Sequence, residues 1–379
     1  MAAALTPPHP KSVTNALESL VDMGAIDLET NELTHLGHCL SILSLDPRVG
    51  KMVIWSYILG CTKEATGMAV AMSYKVRIHL SLLSVPCICS TLMIKIQKSP
   101  FILPPPSMRR DAENAQIVLS DGTESDQVTI LNVLNKLDEF HRKGRKGQFH
   151  GYCRRNFINN PTINMIADLR KNVARELTQI GFDQPTDLNS WCNRNSNRRG
   201  NLAFLQAAIA AGLYPNIAMR EAGEMKFKTK SNQSAKIHLS SVNACKGQPL
   251  SRKSQMLEFI AFGELVKGVA SYTLNQTTHL ASFVPILLLC GTFRIRPAHE
   301  RGEELPNTSV VSVDEIKYKC EKDSAFALAV LRRRLDDIVE HIVSNPALGM
   351  KNLDEKEWKA LATFDAVLNS SFQASPGRY

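Results

Sequence analysis

Apolar positions change their spacing along the chain, and each change predicts a different kind of element. After Pro7, Pro8 and Pro10, residues Ala16, Leu17, Leu20, Val21 and Met23 recur at helical spacing until Gly24 closes the turn, so a short amphipathic helix is expected. Ile26 and Leu28 then precede a polar turn around Asn31, with Leu33 and Leu36 after it, the pattern of a small β-wing. On these residues alone a winged helix and an ordinary helix followed by a hairpin both remain open. From Asp46 to about Asp183 the spacing is helical: Met52, Ile54, Trp55, Ile58 and Leu59 form one segment, and Val128, Leu131, Leu134 and Leu137 another. A third runs from Pro161 through Ile163, Met165, Ile166, Leu169, Val173 and Leu177 to Gly181, with the proline start and glycine end expected of a helix.

Beyond Gly200 the apolar helix LAFLQAAIAAGLYPN gives way to short runs of β-formers between polar turns: KIHLSSVNA, MLEFIAFGELV, ASYTLN and THLASFVPILLLCG. Several short strands in so small a region predict a barrel. After Val311 the pattern returns to helix, with Leu328, Leu331, Leu335, Ile338 and Ile342 on one face. The expected class is α+β and multidomain.

Composition narrows the setting. The 379 residues allow two or three domains, and 44% hydrophobic with 21% charged residues is ordinary for a folded chain. A net charge of +9 favours an anionic partner. Nine cysteines without a CxxC pair indicate neither a zinc ribbon nor a disulfide framework. The start MAAALTPPHPKS has no signal-peptide pattern. An intracellular, reducing setting is expected, in nucleus or cytoplasm.

No enzymatic motif is visible. There is no GxxxxGK[ST] loop to cradle phosphates, and no HExxH or GxSxG. Asp138-Glu139-Phe140-His141 has the D-E-x-H form of a helicase metal motif, but it follows the helical repeat LNVLNKL and leads into RKGRKG. A coincidental match on a solvated helix end is the favoured reading, since the motif works at the end of a buried strand. No catalytic or metal-binding residue is assigned.

Two basic runs carry more information. Lys226, Lys228, Lys230, Lys236, Lys246, Arg252 and Lys253 fall in one stretch without Asp or Glu, beside His238, Ser240, Ser241 and Asn243. On barrel loops these would meet sugar and phosphate oxygens. Arg142, Lys143, Arg145, Lys146, Arg154 and Arg155 form the second, with Phe149 and Tyr152 interleaved as a stacking surface would need. Either run can equally be a solvated loop.

In order, Gly24-Ala25-Ile26-Asp27, Leu33-Thr34-His35-Leu36-Gly37 and Asp46-Pro47-Arg48-Val49-Gly50-Lys51-Met52 stand with a specific spacing. Gly60-Cys61, Ser99-Pro100-Phe101, Ser125-Asp126, Tyr152-Cys153-Arg154-Arg155-Asn156-Phe157 and Ile166-Ala167-Asp168-Leu169-Arg170 follow. Ala211 to Asn216 and Ile237-His238-Leu239-Ser240-Ser241-Val242-Asn243 complete the series. Over nearly its whole length the chain resembles the C-terminal region of DEAH/RHA-type RNA helicases. The resemblance implies a winged helix over 1–47, a helical ratchet domain over 48–185, an OB-fold over 186–310 and a helical tail over 311–379. It implies single-stranded or structured RNA as partner, gripped through Lys236, His238, Ser240, Ser241 and Asn243, with Arg154 and Arg155 from the helical part. The family's ATP and Mg are handled by RecA-like lobes upstream, so this stretch is expected to hold no cofactor and to be inactive alone as an ATPase. A competing reading is a protein-interaction module that docks a helicase activator, another adaptor or the motor lobes.

Two departures stand out. Leu239 occupies a position where the family usually has proline. Residues 76–98, VRIHLSLLSVPCICSTLMIKIQK, separate Tyr74-Lys75 from Ser99, where the family continues almost directly. Arg77, His79, Pro86 and Lys95 disfavour a membrane span, so no membrane partner is expected; a family insertion and a retained intron stay open, the intron being preferred because its removal restores MSYK-SPF.

Overall fold

The Asp46–Met52 motif shows how the molecule is assembled, because nearly every residue in it has a structural partner. The computed structural model describes residues 8–74, 76–79, 93–96, 100–102, 104–182, 201–220, 224, 226–244, 258–268, 271–300 and 303–373. Helix α1 (Pro10–Asp22) leads through a turn to α2 (His35–Ile42), and α3 (Pro47–Ile58) follows. Asp46 caps α3 by accepting a hydrogen bond from the Arg48 amide, and Pro47 takes the first turn, where a missing N–H costs nothing. The Arg48 guanidinium donates to Ser19 of α1 at 2.8 Å and to Asn216 at the barrel's edge at 2.9 Å. The half-buried Lys51 donates from its ammonium to the Met23 carbonyl at 2.9 Å, and desolvation lowers its pKa.

Between α1 and α2 the chain makes a single antiparallel bridge, Ile26 with Leu33. Thr34 closes it by donating to the Gly24 carbonyl while its hydroxyl accepts from the Gly37 amide at the start of α2. A Cβ at Gly37 would lie 2.1 Å from the Ala25 carbonyl oxygen, so only glycine lets α2 approach the turn.

Helices α4 (Thr62–Ser73), α5 (Arg109–Ser120), α6 (Asp126–Arg142), α7 (Lys146–Arg155) and α8 (Asn160–Ile180) complete the helical part. The helices expected around Val128–Leu137 and from Pro161 to Gly181 are present as α6 and α8, each with a capping side chain, Ser125 or Asn159. Between α4 and α5, β1 (Val76–His79) and β2 (Met93–Ile96) pair antiparallel. Pro100 and Phe101 beyond it pair with Ile158 and Asn159, which joins two segments of the resemblance.

Helix α9 (Leu202–Leu213) is apolar on every side, and from Ala203 to Leu213 it is wholly buried. A helix without a polar face must lie inside, and α9 lies against α3. At Gly212 the two backbones nearly touch: a Cβ there would lie 2.4 Å from the Met52 Cα.

Strands β3 (Ile217–Arg220), β4 (Phe227–Thr229), β5 (Ser234–Ile237), β6 (Glu258–Lys267) and β7 (Tyr272–Leu280) close into a barrel in the order β3-β4-β5-β7-β6. The β5–β7 pair is parallel and the other pairs are antiparallel. Ala218, Phe227, Ala235, Ile260, Phe262 and Leu274 fill its interior, separate from the main core. The architecture is α+β, a helical part joined to an OB-like five-stranded barrel.

Two segments differ from the sequence pattern. Val284–Leu289, expected as strand, is the buried helix α10, because a short apolar run does not distinguish the two and Pro285 favours a helix start. The chain then forms β8 (Phe293–Glu300), β9 (Glu303–Val313) and β10 (Ile316–Glu321), a three-stranded sheet in the order β10-β9-β8. Val311 thus lies within a strand, and the helical tail begins only with α11 (Lys322–Ser344), followed by α12 (Glu355–Gln373). Arg332 of α11 donates to the carbonyls of Leu287, Cys290 and Gly291, satisfying the C-terminal end of α10. Among the described residues no helix is long and apolar enough to cross a membrane.

Candidate nucleic-acid interface

From Lys236, near the end of β5, to Asn243 the chain divides into an outward and an inward half. Lys236, His238, Leu239 and Ser240 are exposed, while Ser241 is buried and Asn243 half-buried. His238 Nδ1 lies 2.7 Å from the Ser240 hydroxyl and accepts from the Ser240 amide at 3.2 Å, so the outward half is a tight turn. The departure from proline at Leu239 falls at its tip, where the side chain is 77% exposed.

The inward half is fastened to the helical part. Asp126, the first residue of α6, is half-buried, and its two carboxylate oxygens accept from the amides of Val242 at 2.9 Å and Thr277 at 2.7 Å. Burial raises the Asp126 pKa, against hydrogen bonds from Val242, Ser241 and Thr277 that lower it. The Ser241 hydroxyl lies 2.7 Å from that of Thr277, and the Asn243 amide donates to the Thr277 hydroxyl at 2.9 Å and the Glu124 carbonyl at 2.9 Å. On either side of Asp126, Ser125 bonds the Thr278 hydroxyl at 2.7 Å and Gln127 donates to the Gln276 carbonyl at 2.6 Å. Residues 124–127 thus cover the edge of β7 past the point where β5 ends. Such a network fixes backbone geometry because every buried polar group in it has a partner.

His238 and Ser240 are therefore presented on one exposed turn, and Lys236 is exposed on β5 just before it. Ser241 and Asn243, expected as contact residues, point into the network and hold that turn in place. Asp126 went unassigned in the sequence, since an acidic residue in a helix's first turn is commonplace; only the resemblance drew attention to Ser125-Asp126.

The remaining basic residues are dispersed. Lys226 precedes β4, Lys228 lies within it, and Lys230 pairs with Asp314 at 2.9 Å, so this part of the run is on strands and turns of the barrel. Lys246, Arg252 and Lys253 lie outside the described residues. Arg154 and Arg155 are exposed in the last turn of α7, where the helix dipole favours cations. The expected stacking surface beside them is not formed: Phe149 is 2% exposed, and Phe140, Phe149 and Tyr152 pack on one another with centroids 5.7 to 6.0 Å apart. The alternation of cations and aromatics comes from one helix showing a wet face and an apolar face.

An open groove of about 770 Å³ lies elsewhere on the barrel, lined by Arg48, Asn216, Lys230, Phe262 and Glu264 among others. Both of its cations are engaged, Arg48 by Asn216 and Ser19, Lys230 by Asp314. The D-E-x-H residues lie on α6, with Asp138 paired to Arg170 at 2.9 Å and Glu139 to Lys143 and Lys136 at 2.6 and 3.0 Å. These carboxylates do not fit the Mg and ATP that the resemblance implies for intact family members.

Residues 205–293, from α9 to the start of β8, match the OB_NTP_bind family, described as an oligonucleotide/oligosaccharide-binding (OB)-fold. The chain is 26% identical to the DExH-box ATP-dependent RNA helicase DExH1 of Arabidopsis thaliana, over 92% of its own length and 30% of the relative's. It is 26% identical to the ATP-dependent RNA helicase DHX29 of Homo sapiens, over 93% of this chain and 23% of that one. The ATP-dependent DNA/RNA helicase DHX36 of Mus musculus is 23% identical over 97% of this chain and 33% of its own. The chain spans about a quarter to a third of the length of these curated relatives. It is a relative of the DExH/DEAH-type RNA helicases and matches a C-terminal region of them, one that carries an OB-fold.

Proposed function

We propose that this chain is an RNA-gripping portion of a DEAH/RHA-type helicase, in which the turn after β5 holds single-stranded RNA by its backbone. The observation that carries the proposal is the exposed turn of His238 and Ser240, held from beneath by Asp126, with Lys236 exposed on β5 beside it. A cation, an imidazole and a hydroxyl on a preorganised loop suit sugar and phosphate oxygens, and preorganisation lowers the entropy lost on binding. Arg154 and Arg155 would contribute from α7. In this reading 1–47 acts as a winged helix, with its wing reduced to one bridge, and 48–185 as a ratchet beside the barrel. ATP turnover belongs to RecA-like lobes of the intact relatives, and the setting is nuclear or cytoplasmic.

The test is binding of the purified chain to labelled single-stranded RNA across a salt series, with ATP hydrolysis assayed in parallel. Affinity that falls steeply with salt, and falls further in Lys236→Ala and Ser240→Ala, without ATP turnover, supports the proposal. Absence of binding at low salt would refute it and favour an adaptor-docking module.

A further inference from the structure

The sheet β8-β9-β10 lies beyond the residues matched by the OB-fold family, and its two faces differ sharply. Paired residues in a sheet share a face. Val311 and Val313 are fully buried on one side, in register with Ile295 and Phe293 on β8 and with Tyr318 and Ile316 on β10. On the other side Arg294 stands opposite Ser312, and Ser312 opposite Lys317; Arg296 stands opposite Val310, and Val310 opposite Lys319. Arg294, Arg296, Lys317 and Lys319 are all exposed, and none has an ion-pair partner among the described residues. Glu315 in the turn and Glu321 at the end of β10 flank the patch, and no carboxylate lies within the two rows.

Charges on edge strands also discourage pairing with other chains, and Pro297 on β8 does so directly. That role does not require both edge strands to place their cations on one face in matched rows. Residues two apart on a strand are about 6.8 Å from each other, and strands two apart in a sheet are roughly 10 Å from each other. The result is a flat square of four positive charges without an aromatic residue among them. Such a surface suits repeated phosphates and reads no bases. It offers only Val310 as an apolar group, too little to enter a membrane interface, where binding needs buried apolar area.

We infer that Arg294, Arg296, Lys317 and Lys319 form a second nucleic-acid contact, a sequence-independent seat for the phosphodiester backbone of RNA. It goes beyond the barrel turn proposed above and does not depend on it.

The test uses the full chain and a labelled uridine oligonucleotide, with log affinity measured against log salt. Each phosphate contact on a single strand contributes ~0.7 to the slope, so replacing all four residues by glutamine lowers it by up to about 2.8, and the pairs R294Q/R296Q and K317Q/K319Q each by about 1.4. The paired variants keep the inference testable if the fourfold variant fails to fold. A reduced slope in these variants supports the inference even where Lys236→Ala and Ser240→Ala leave binding unchanged, an outcome that would remove only the barrel-turn proposal. An unchanged slope and affinity in folded variants overturns it. So does loss of binding to phosphatidylserine vesicles while RNA binding is retained, which would mark the patch as a membrane contact.

Discussion

Two seams join the helical part to the barrel region, and they are built from opposite materials. Where α9, which leads into the barrel, crosses α3, contact is apolar and so close that Gly212 lies on the backbone of Met52. Where α6 meets the barrel, Ser125, Asp126 and Gln127 face Ser241, Thr277 and Thr278 through buried hydrogen bonds. The first seam depends on shape and resists any added volume. The second depends on direction: two amides aimed at one carboxylate set the path of the chain after β5. Stability can come from either kind of seam, but only the polar one sets the path of the turn that carries His238 and Ser240.

The apolar seam is the more sensitive of the two to substitution. Gly212→Ala puts a methyl group against immovable backbone and should cost roughly 3 kcal/mol, read as a lower denaturation midpoint. If stability is unchanged, the helices are not in contact there. Asp126→Ala comes next, leaving the amides of Val242 and Thr277 without their acceptor, at roughly 2 kcal/mol. Its effect should depend on pH. Because burial raises the Asp126 pKa above the usual 3.8, the native state holds this proton more readily than the unfolded chain does. Titration of Asp126 therefore favours the fold in acid, and this contribution is lost as pH rises through the native value. The stability gap between wild type and Asp126→Ala should narrow from acid toward neutrality; a gap that widens contradicts the assignment.

Ser241→Ala removes one hydroxyl from the same network, at about 1 kcal/mol. Since Ser241 faces inward, RNA affinity should weaken with no change in salt slope, and a fall in the slope would show direct phosphate contact instead. Lys236→Ala is the mildest for stability, leaving the melting temperature unchanged while reducing the salt slope by ~0.7. Together the last two separate residues that hold the turn from residues that touch its ligand.

The same contrast explains how far the candidate site could be read in advance. The excess of positive charge around Lys236 was legible because a run of cations without acids is a local property of the chain. The inward turn of Ser241 and Asn243 was not, because their partners lie at Thr277, Glu124 and Asp126, distant in sequence. Phe149 and Tyr152 misled because linear alternation with arginines says nothing about which side of α7 faces Phe140. Among the secondary elements, Val284–Leu289 failed for lack of length, while 126–142 and 160–180 were readable through sustained periodicity and, for the second, its start at Pro161 and end at Gly181.

By itself the sequence determined the helical segments, the presence of a barrel after Gly200, the family resemblance and the excess of positive charge. These follow from spacing, turn chemistry and composition, which act between neighbours along the chain. The tertiary structure alone decided which polar side chains face inward, that Asp126 fastens the barrel turn, and that Arg294, Arg296, Lys317 and Lys319 share one face. Burial and strand register belong to pairs of segments, and no single segment carries that information.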